Sequence, residues 1–326
     1  MAGAAAGDSH HHALSSARTK PALVLLSPAG VVTKPAALTR AHRHLKSLGF
    51  DARIDADARA RFQRFAGDDD RRLEALHRVA REAPSIAMAT RGGYGLTRLL
   101  DRIDWKLLGR SVDRGTRWVG LSDITSLQLG LLARRACVTW AGPLACDHFG
   151  RAPDEGGVDE VTTACFVEAM DGSLKAVGFR CDAGFDGLDV KGTLWGGNLT
   201  VLLSLIGTRH WPDVRGGVLF LEDVNEHPYR IERGLLQLLQ AGVIDRQKAV
   251  VLGQFTAYKP APHDRGFGMK TMLEGLRART RTPLLTGLPF GHVPTIVSLP
   301  VGARVTLACQ GRDAFLGWDH RHATAA

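Results

Sequence analysis

Short apolar runs alternate with amphipathic stretches through the first half of the chain. Residues 22–26 are apolar throughout and stop at Ser27-Pro28-Ala29-Gly30, which predicts a buried strand and a turn. Residues 34–48 carry Ala36, Leu38, Ala41, Leu45 and Leu48 at helical spacing, and Gly49 is placed to close that helix. A second strand is predicted over 51–54, and Asp68 to Asp70 open an arginine-rich amphipathic helix. Residues 84–90 form the next apolar run and lead into the glycine-rich turn Arg91-Gly92-Gly93-Tyr94-Gly95, with a helix predicted near 96–100. A strand ends at Gly120. From Asp123 onward, Ile124, Leu127, Leu129, Leu131 and Leu132 read as a buried helix, and residues 138–140 form a further strand. Strands alternating with helices in this way predict a parallel sheet covered on both faces.

The texture changes near Gly172, after a helical pattern over 158–170. Glycine-punctuated strands follow at 176–179 and 192–199, then an apolar helix over 199–206. Residues 218–221 form a buried strand that stops at Glu222-Asp223, and a helix carries Ile231, Leu235, Leu238 and Leu239 on one face. Strands are predicted at 249–253 and 283–287, with a helix over 269–279 between them. The rigid turn Pro289-Phe290-Gly291-His292-Val293-Pro294 comes next, and the last β segments lie at 296–299 and 303–309. The fold class is therefore α/β: an N-terminal parallel-sheet domain over 20–172, followed by a smaller β-rich domain over 173–326. Residues 1–19 are small, polar and low in complexity, and are expected to be a disordered tail.

Composition narrows the class. The 326 residues are 44% hydrophobic and 23% charged, as in ordinary globular proteins. No apolar run reaches the length of a membrane helix, and the N-terminus lacks the basic and apolar regions of a secretion signal. Cys137, Cys146, Cys165, Cys181 and Cys309 form no C-x-x-C pair and are expected to be reduced, buried thiols of a cytoplasmic protein. The net charge of +9 arises from scattered arginines without aromatic interleaving, so no nucleic-acid partner is expected. A cationic site for a small anion is compatible with it. No metal-binding spacing occurs, His10 to His12 being an incidental run, and no cofactor is expected.

Ser122 is the residue best placed for chemistry, because it falls on the turn between the strand ending at Gly120 and the following helix. The first N–H groups of that helix favour negative charge beside it. Ser122 or Asp123 could equally cap the helix. A serine nucleophile needs a base, an acid to orient the base, and donors for the oxyanion. Glu222 ends a buried strand, and His292 sits in a rigid turn, with His148, His227 and His263 as competing histidines. The amides near Gly93 and Asp123 are the available donors. Spacing alone does not assemble these parts.

RGGYGLTRLLDRIDW (91–105), GLSDIT (120–125), LWGGNLTVLLSLIGT (194–208), LEDVNEHPYRIER (221–233) and LPFGHV (288–293) together resemble the LD-carboxypeptidase family, serine peptidases of murein recycling. The resemblance runs in matching order from about residue 21 to residue 311. It implies a serine–histidine–glutamate triad of Ser122, His292 and Glu222, an oxyanion hole from the N–H groups of Gly93 and Asp123, and the cap role for Asp123. It also implies a cytoplasmic homodimer that needs no metal and removes the terminal D-alanine from murein tetrapeptides. Leu121 varies among relatives. Arg230 and Arg233, just beyond Glu222, are the expected partners for the terminal carboxylate. Two alternatives are an amide hydrolase of the microcin-immunity type, acting on aminoacyl-nucleotides, and a non-catalytic protein binding an anionic ligand.

Overall fold

A computed structural model describes residues 20–319; the expected tail, with His10 to His12, lies outside them. The N-terminal half runs β1 (Ala22–Leu26), α1 (Pro35–Ser47), β2 (Asp51–Ile54), α2 (Asp69–Glu82), β3 (Ile86–Ala89), α3 (Trp105–Asp113), β4 (Arg117–Gly120), α4 (Ile124–Arg135), β5 (Thr139–Ala141) and α5 (Glu160–Asp171). The C-terminal half continues with β6 (Ala176–Arg180), β7 (Asp189–Asn198), α6 (Leu199–Leu203), β8 (Val218–Val224), α7 (Pro228–Gln240), β9 (Ala249–Thr256), α8 (Met269–Arg277), β10 (Leu284–Leu285), β11 (Leu299–Val301), β12 (Arg304–Gln310) and β13 (Asp313–Trp318).

The first sheet has the order β11-β5-β4-β3-β1-β2. Strands β1 to β5 are parallel, and all four residues of β3 are buried, as expected for strands covered by helices on both faces. Helix starts follow local chemistry: Asp68 accepts a hydrogen bond from Arg71 N at 2.8 Å, and Asp104 accepts one from Leu107 N at 2.9 Å. The helix predicted near 96–100 is only a single 3₁₀ turn over Leu96–Arg98, entered from Gly95 at φ +159°.

Strand β11 returns from the C-terminal half to the edge of this first sheet, antiparallel to β5. Pro300 lies at its centre, and the missing N–H is tolerated on an edge strand. The β segment expected at 296–299 is thus displaced to Leu299–Val301.

The second sheet has the order β10-β9-β8-β7-β12-β13-β6. It is parallel from β10 to β7 and antiparallel from β7 to β6. Strand β7 joins the two parts: residues 189–193 pair with β12, and residues 194–198 pair with β8. The change of partner falls just before Gly196, where φ is +133° and a Cβ would stand 1.9 Å from the Phe220 carbonyl oxygen. No side chain fits there. Strand β13 was not anticipated, although Ala314, Leu316 and Trp318 alternate inward in the manner of a half-buried strand. A chain with this mixture has a parallel α/β sheet and a separate β-rich C-terminal domain.

Candidate active site

Ser122 occupies the tight turn between β4 and α4 with φ +70°, in the left-handed region that a serine rarely adopts. Its carbonyl accepts from Thr125 N at 2.9 Å, so the first turn of α4 fixes its backbone. Such strain persists only where the surroundings hold it, and it is concentrated at functional sites. The glycine-rich turn presses on this serine: a Cβ on Gly92 would lie 2.5 Å from Ser122 Cβ and 2.7 Å from Ser122 Oγ. Gly30 N in turn donates to Gly92 O at 3.1 Å. The N–H groups of Gly93 and Asp123 donate to no other described residue, which leaves two donors beside the serine.

Asp123 precedes α4, but its side chain does not cap that helix. The cap expected from the resemblance is therefore corrected. The Asp123 carboxylate instead reaches back to the glycine-rich turn, where Oδ2 accepts from Leu96 N at 2.7 Å. Burial raises its pKa to about 6, against the opposing pull of the Leu96 N–H, the Arg72 guanidinium and the Gly95 N–H. Arg72 is fully buried, pairs with Asp69, and donates to Gly95 O at 2.9 Å and to Pro28 O at 3.2 Å. The loop carrying Gly92 and Gly93 is thus held from both sides by buried charged groups.

Glu222 and His292 come together although 70 residues separate them: His292 Nδ1 lies 2.8 Å from Glu222 Oε2. Glu222 does not follow β8 as expected but lies within it, at 0% exposure, and the strand continues to Val224. Opposite it the β8–β9 register slips, with Leu221 facing Leu252 and Asp223 facing Phe255. The extra residue is on β9, and this bulge brings Gln254 N to within 2.8 Å of Phe290 O, fixing the turn that carries His292. The second Glu222 oxygen accepts from Asn198 Nδ2 at 3.1 Å. Asn198 also donates to Asp223 Oδ1 at 2.9 Å, caps α6 through Val201 N, and gives its own N–H to Thr125 Oγ1 at 3.0 Å. One asparagine therefore ties the glutamate to the helix that follows Ser122. Burial opposes the charged imidazole of His292, but Glu222, with Asp223 and Asp147, outweighs it and raises the His292 pKa above 6.5.

Ser122 Oγ makes no hydrogen bond to another described residue. Two of the three competing histidines are otherwise engaged. His148 is buried, accepts from Leu144 N at 3.1 Å through Nδ1, and has its pKa lowered to about 4 chiefly by burial. His227 starts α7 and meets Asp264 Oδ2 at 2.8 Å, and His263 lies in a neighbouring 3₁₀ turn.

Two cavities adjoin at Asp147 and Arg151. One, of about 200 Å³, opens beside Leu121, His148 and His292. The other, of about 360 Å³, extends to Arg91, Lys34 and Glu155. Arg230 and Arg233 line neither. Arg230 is exposed on α7, 3.6 Å from Glu226, and both guanidinium groups lie over the Tyr229 ring. The sequence reading assigned no site role to Asn198, Asp147, Arg91 or Arg151. Asn198 looks like a plain helix cap, and Asp147 stands alone in a run without periodicity. Among the described residues, no helix is long and apolar enough to cross a membrane, and no three His, Cys, Asp or Glu side chains are grouped to hold a metal ion.

Family models for the LD-carboxypeptidase N-terminal and C-terminal domains match residues 23–142 and 191–307. The chain is 30% identical over 295 residues to the murein tetrapeptide carboxypeptidase of Pseudomonas aeruginosa, covering 87% of this chain and 92% of that one. It superimposes on the crystal structure of muramoyltetrapeptide carboxypeptidase from Oxalobacter formigenes with a TM-score of 0.82 and 38% identity, over 91% of this chain and 99% of that one. A structure of MccF in complex with glutamyl sulfamoyl guanosine shares the fold, with a TM-score of 0.80 at 20% identity over 92% and 96% of the two chains. Matching domains in the same order and the shared two-domain fold lead to one conclusion: this chain belongs to the LD-carboxypeptidase family and is a serine-type carboxypeptidase.

Proposed function

We propose that this enzyme removes the terminal D-alanine from murein tetrapeptides, with diaminopimelate as the third residue, and that Ser122, His292 and Glu222 are its triad. The observation that carries the reading is the buried Glu222–His292 hydrogen bond at 2.8 Å, beside a cavity that His292 lines together with Leu121, the residue before the strained Ser122. In this mechanism Ser122 Oγ attacks the carbonyl carbon of the third residue while His292 Nε2 takes the serine proton. The carbonyl electrons move onto oxygen, and the N–H groups of Gly93 and Asp123 receive the resulting oxyanion, each donor contributing roughly 3 kcal/mol to the transition state. His292 then gives its proton to the departing D-alanine nitrogen as the C–N bond breaks. Water, deprotonated by the same imidazole, hydrolyses the acyl-enzyme. Glu222 holds Nδ1–H and offsets the imidazolium charge throughout.

Five buried, unpaired thiols among the described residues suit a reducing compartment, in keeping with cytoplasmic murein recycling. We take the working form to be a homodimer and the domains to be 20–172 and 173–326, with β11 contributed back to the first. Mass spectrometry of products from purified tetrapeptide tests the activity: tripeptide plus D-alanine is expected. Intact tetrapeptide, with turnover of an aminoacyl sulfamoyl-adenosine instead, would overturn it. Light scattering tests the dimer.

A further inference from the structure

The cleft beside His292 holds charges of both signs that form no ion pairs. Arg91, Arg151 and Asp147 have no opposite charge within 4.0 Å among the described residues, whereas Lys34 is paired with Glu155. The two guanidinium groups are clamped by backbone carbonyls. Arg91 Nη1 donates to Val31 O at 3.0 Å, Arg151 Nε donates to Gly157 O at 2.8 Å, and Arg151 Nη2 donates to Glu155 O. Each keeps donors free, since a guanidinium carries five.

The backbone on either side of Asp147 is held just as firmly. Asp147 lies on a single π-helical turn, Ala145–Phe149, a backbone form often met at functional sites. Cys146 N donates to Thr90 O at 2.8 Å, His148 N donates to Leu144 O at 3.1 Å, and the flanking Gly150 O accepts from Arg40 Nε at 2.9 Å. Cys146, His148 and Phe149 are buried, whereas the Asp147 side chain opens into both cavities and accepts no hydrogen bond from a described residue. Asp147 stays solvent-exposed at the cleft, and the protein around it still raises its pKa by desolvation, despite Arg91, His292 and Lys34.

Separated, unpaired charges held on the walls of one cleft are free to pair with a ligand that carries their complements. A plain carboxylate ligand would leave Asp147 opposed, and a plain ammonium would leave Arg151 unmatched. A group bearing both satisfies both walls.

We propose that Asp147 and Arg151, backed by Arg91, form a subsite for a zwitterionic amino-acid head at the end of the side chain of the residue whose carbonyl Ser122 attacks. Asp147 takes the ammonium and Arg151 the carboxylate. The inference rests on the carboxypeptidase reading above and locates side-chain selectivity on Arg151: a diaminopimelate side chain engages both groups, a lysine side chain only Asp147.

The test measures kcat and KM for D-alanine release from two tetrapeptides that differ only in diaminopimelate or lysine at the third position. The parent enzyme should prefer diaminopimelate. Arg151→Gln should lower kcat/KM about 10- to 100-fold on the diaminopimelate substrate, mainly through KM, and change the lysine substrate less than about threefold. Arg151→Lys, which keeps the charge, should restore part of the preference, a recovery that mere loop damage would not give. Asp147→Asn should raise KM for both substrates. Equal losses on both substrates in Arg151→Gln would mean that the guanidinium holds the terminal carboxylate, and would overturn the proposal. So would an unselective parent or an Asp147→Asn variant with unchanged KM. If the parent releases D-alanine from neither tetrapeptide, the carboxypeptidase reading itself falls, and the subsite with it.

Discussion

Gly92→Ala tests the proposed nucleophile without touching it. The new methyl carbon would stand 2.5 Å from Ser122 Cβ and 2.7 Å from Oγ, against about 3.5 to 4.0 Å for relaxed carbon contacts. Roughly 1 Å must be found. Ser122 Cβ moves only with its backbone, so although Gly92 O is tied to Gly30 N at 3.1 Å and Ser122 O to Thr125 N at 2.9 Å, one turn must shift against the other, which carries Ser122 Oγ off its position. Gly92 is not among the residues with positive φ, so alanine suits its backbone, and the stability cost should be that of modest overpacking, about 1 to 3 kcal/mol. A reacting atom displaced by about 1 Å can lose on the order of 100-fold in rate, or about 2.7 kcal/mol of transition-state stabilisation. The assay is kcat/KM for D-alanine release from murein tetrapeptide, with thermal unfolding followed in parallel. Gly49→Ala serves as a control: φ there is +96° and no atom lies within 4 Å of the new Cβ, so it should cost stability and spare activity. A folded Gly92→Ala enzyme within about threefold of the parent would refute the placement of the chemistry at Ser122.

Three further outcomes follow from the same site. Ser122→Ala should lower kcat by at least about four orders of magnitude while thermal unfolding stays near that of the parent; residual turnover above that level would remove the serine from the mechanism. Because the base must be neutral and its pKa is raised above 6.5, kcat/KM should fall on the acid side of a midpoint above 6.5. Glu222→Gln should move that midpoint down, since burial is then less opposed, and should lower kcat by about three to four orders of magnitude; an unmoved midpoint would separate His292 from the pH profile. For Asp123 the folded pKa of about 6 lies above the unfolded value of 3.8, so between these limits the folded state holds the extra proton. Its contribution to stability therefore declines as pH rises from about 4 to about 6. The Tm difference, Asp123→Asn minus parent, should increase across that window, and a flat difference would contradict the burial of a charged carboxylate there.

Much of the framework is written in local pattern. The apolar runs 22–26 and 84–90, the acidic group Asp68 to Asp70 at a helix start, and the periodic helices make an α/β chain unavoidable, because backbone hydrogen bonding and apolar burial act over a few residues at a time. The strand-to-helix position of Ser122 is equally local, and the order of five motifs carries the family. Tertiary structure decided what depends on distant segments meeting. The slip opposite Glu222 delivers His292 to its carboxylate across 70 residues, and β11 crosses back to close the first sheet. Asp123 looks like a cap in sequence, yet its oxygen is taken by Leu96 N, 27 residues earlier. Arg230 and Arg233 stand near Glu222 in sequence, but α7 carries them to the surface. Charge type is legible in a sequence; which charges share a cleft, and which of them are left unpaired, is fixed only when the chain packs.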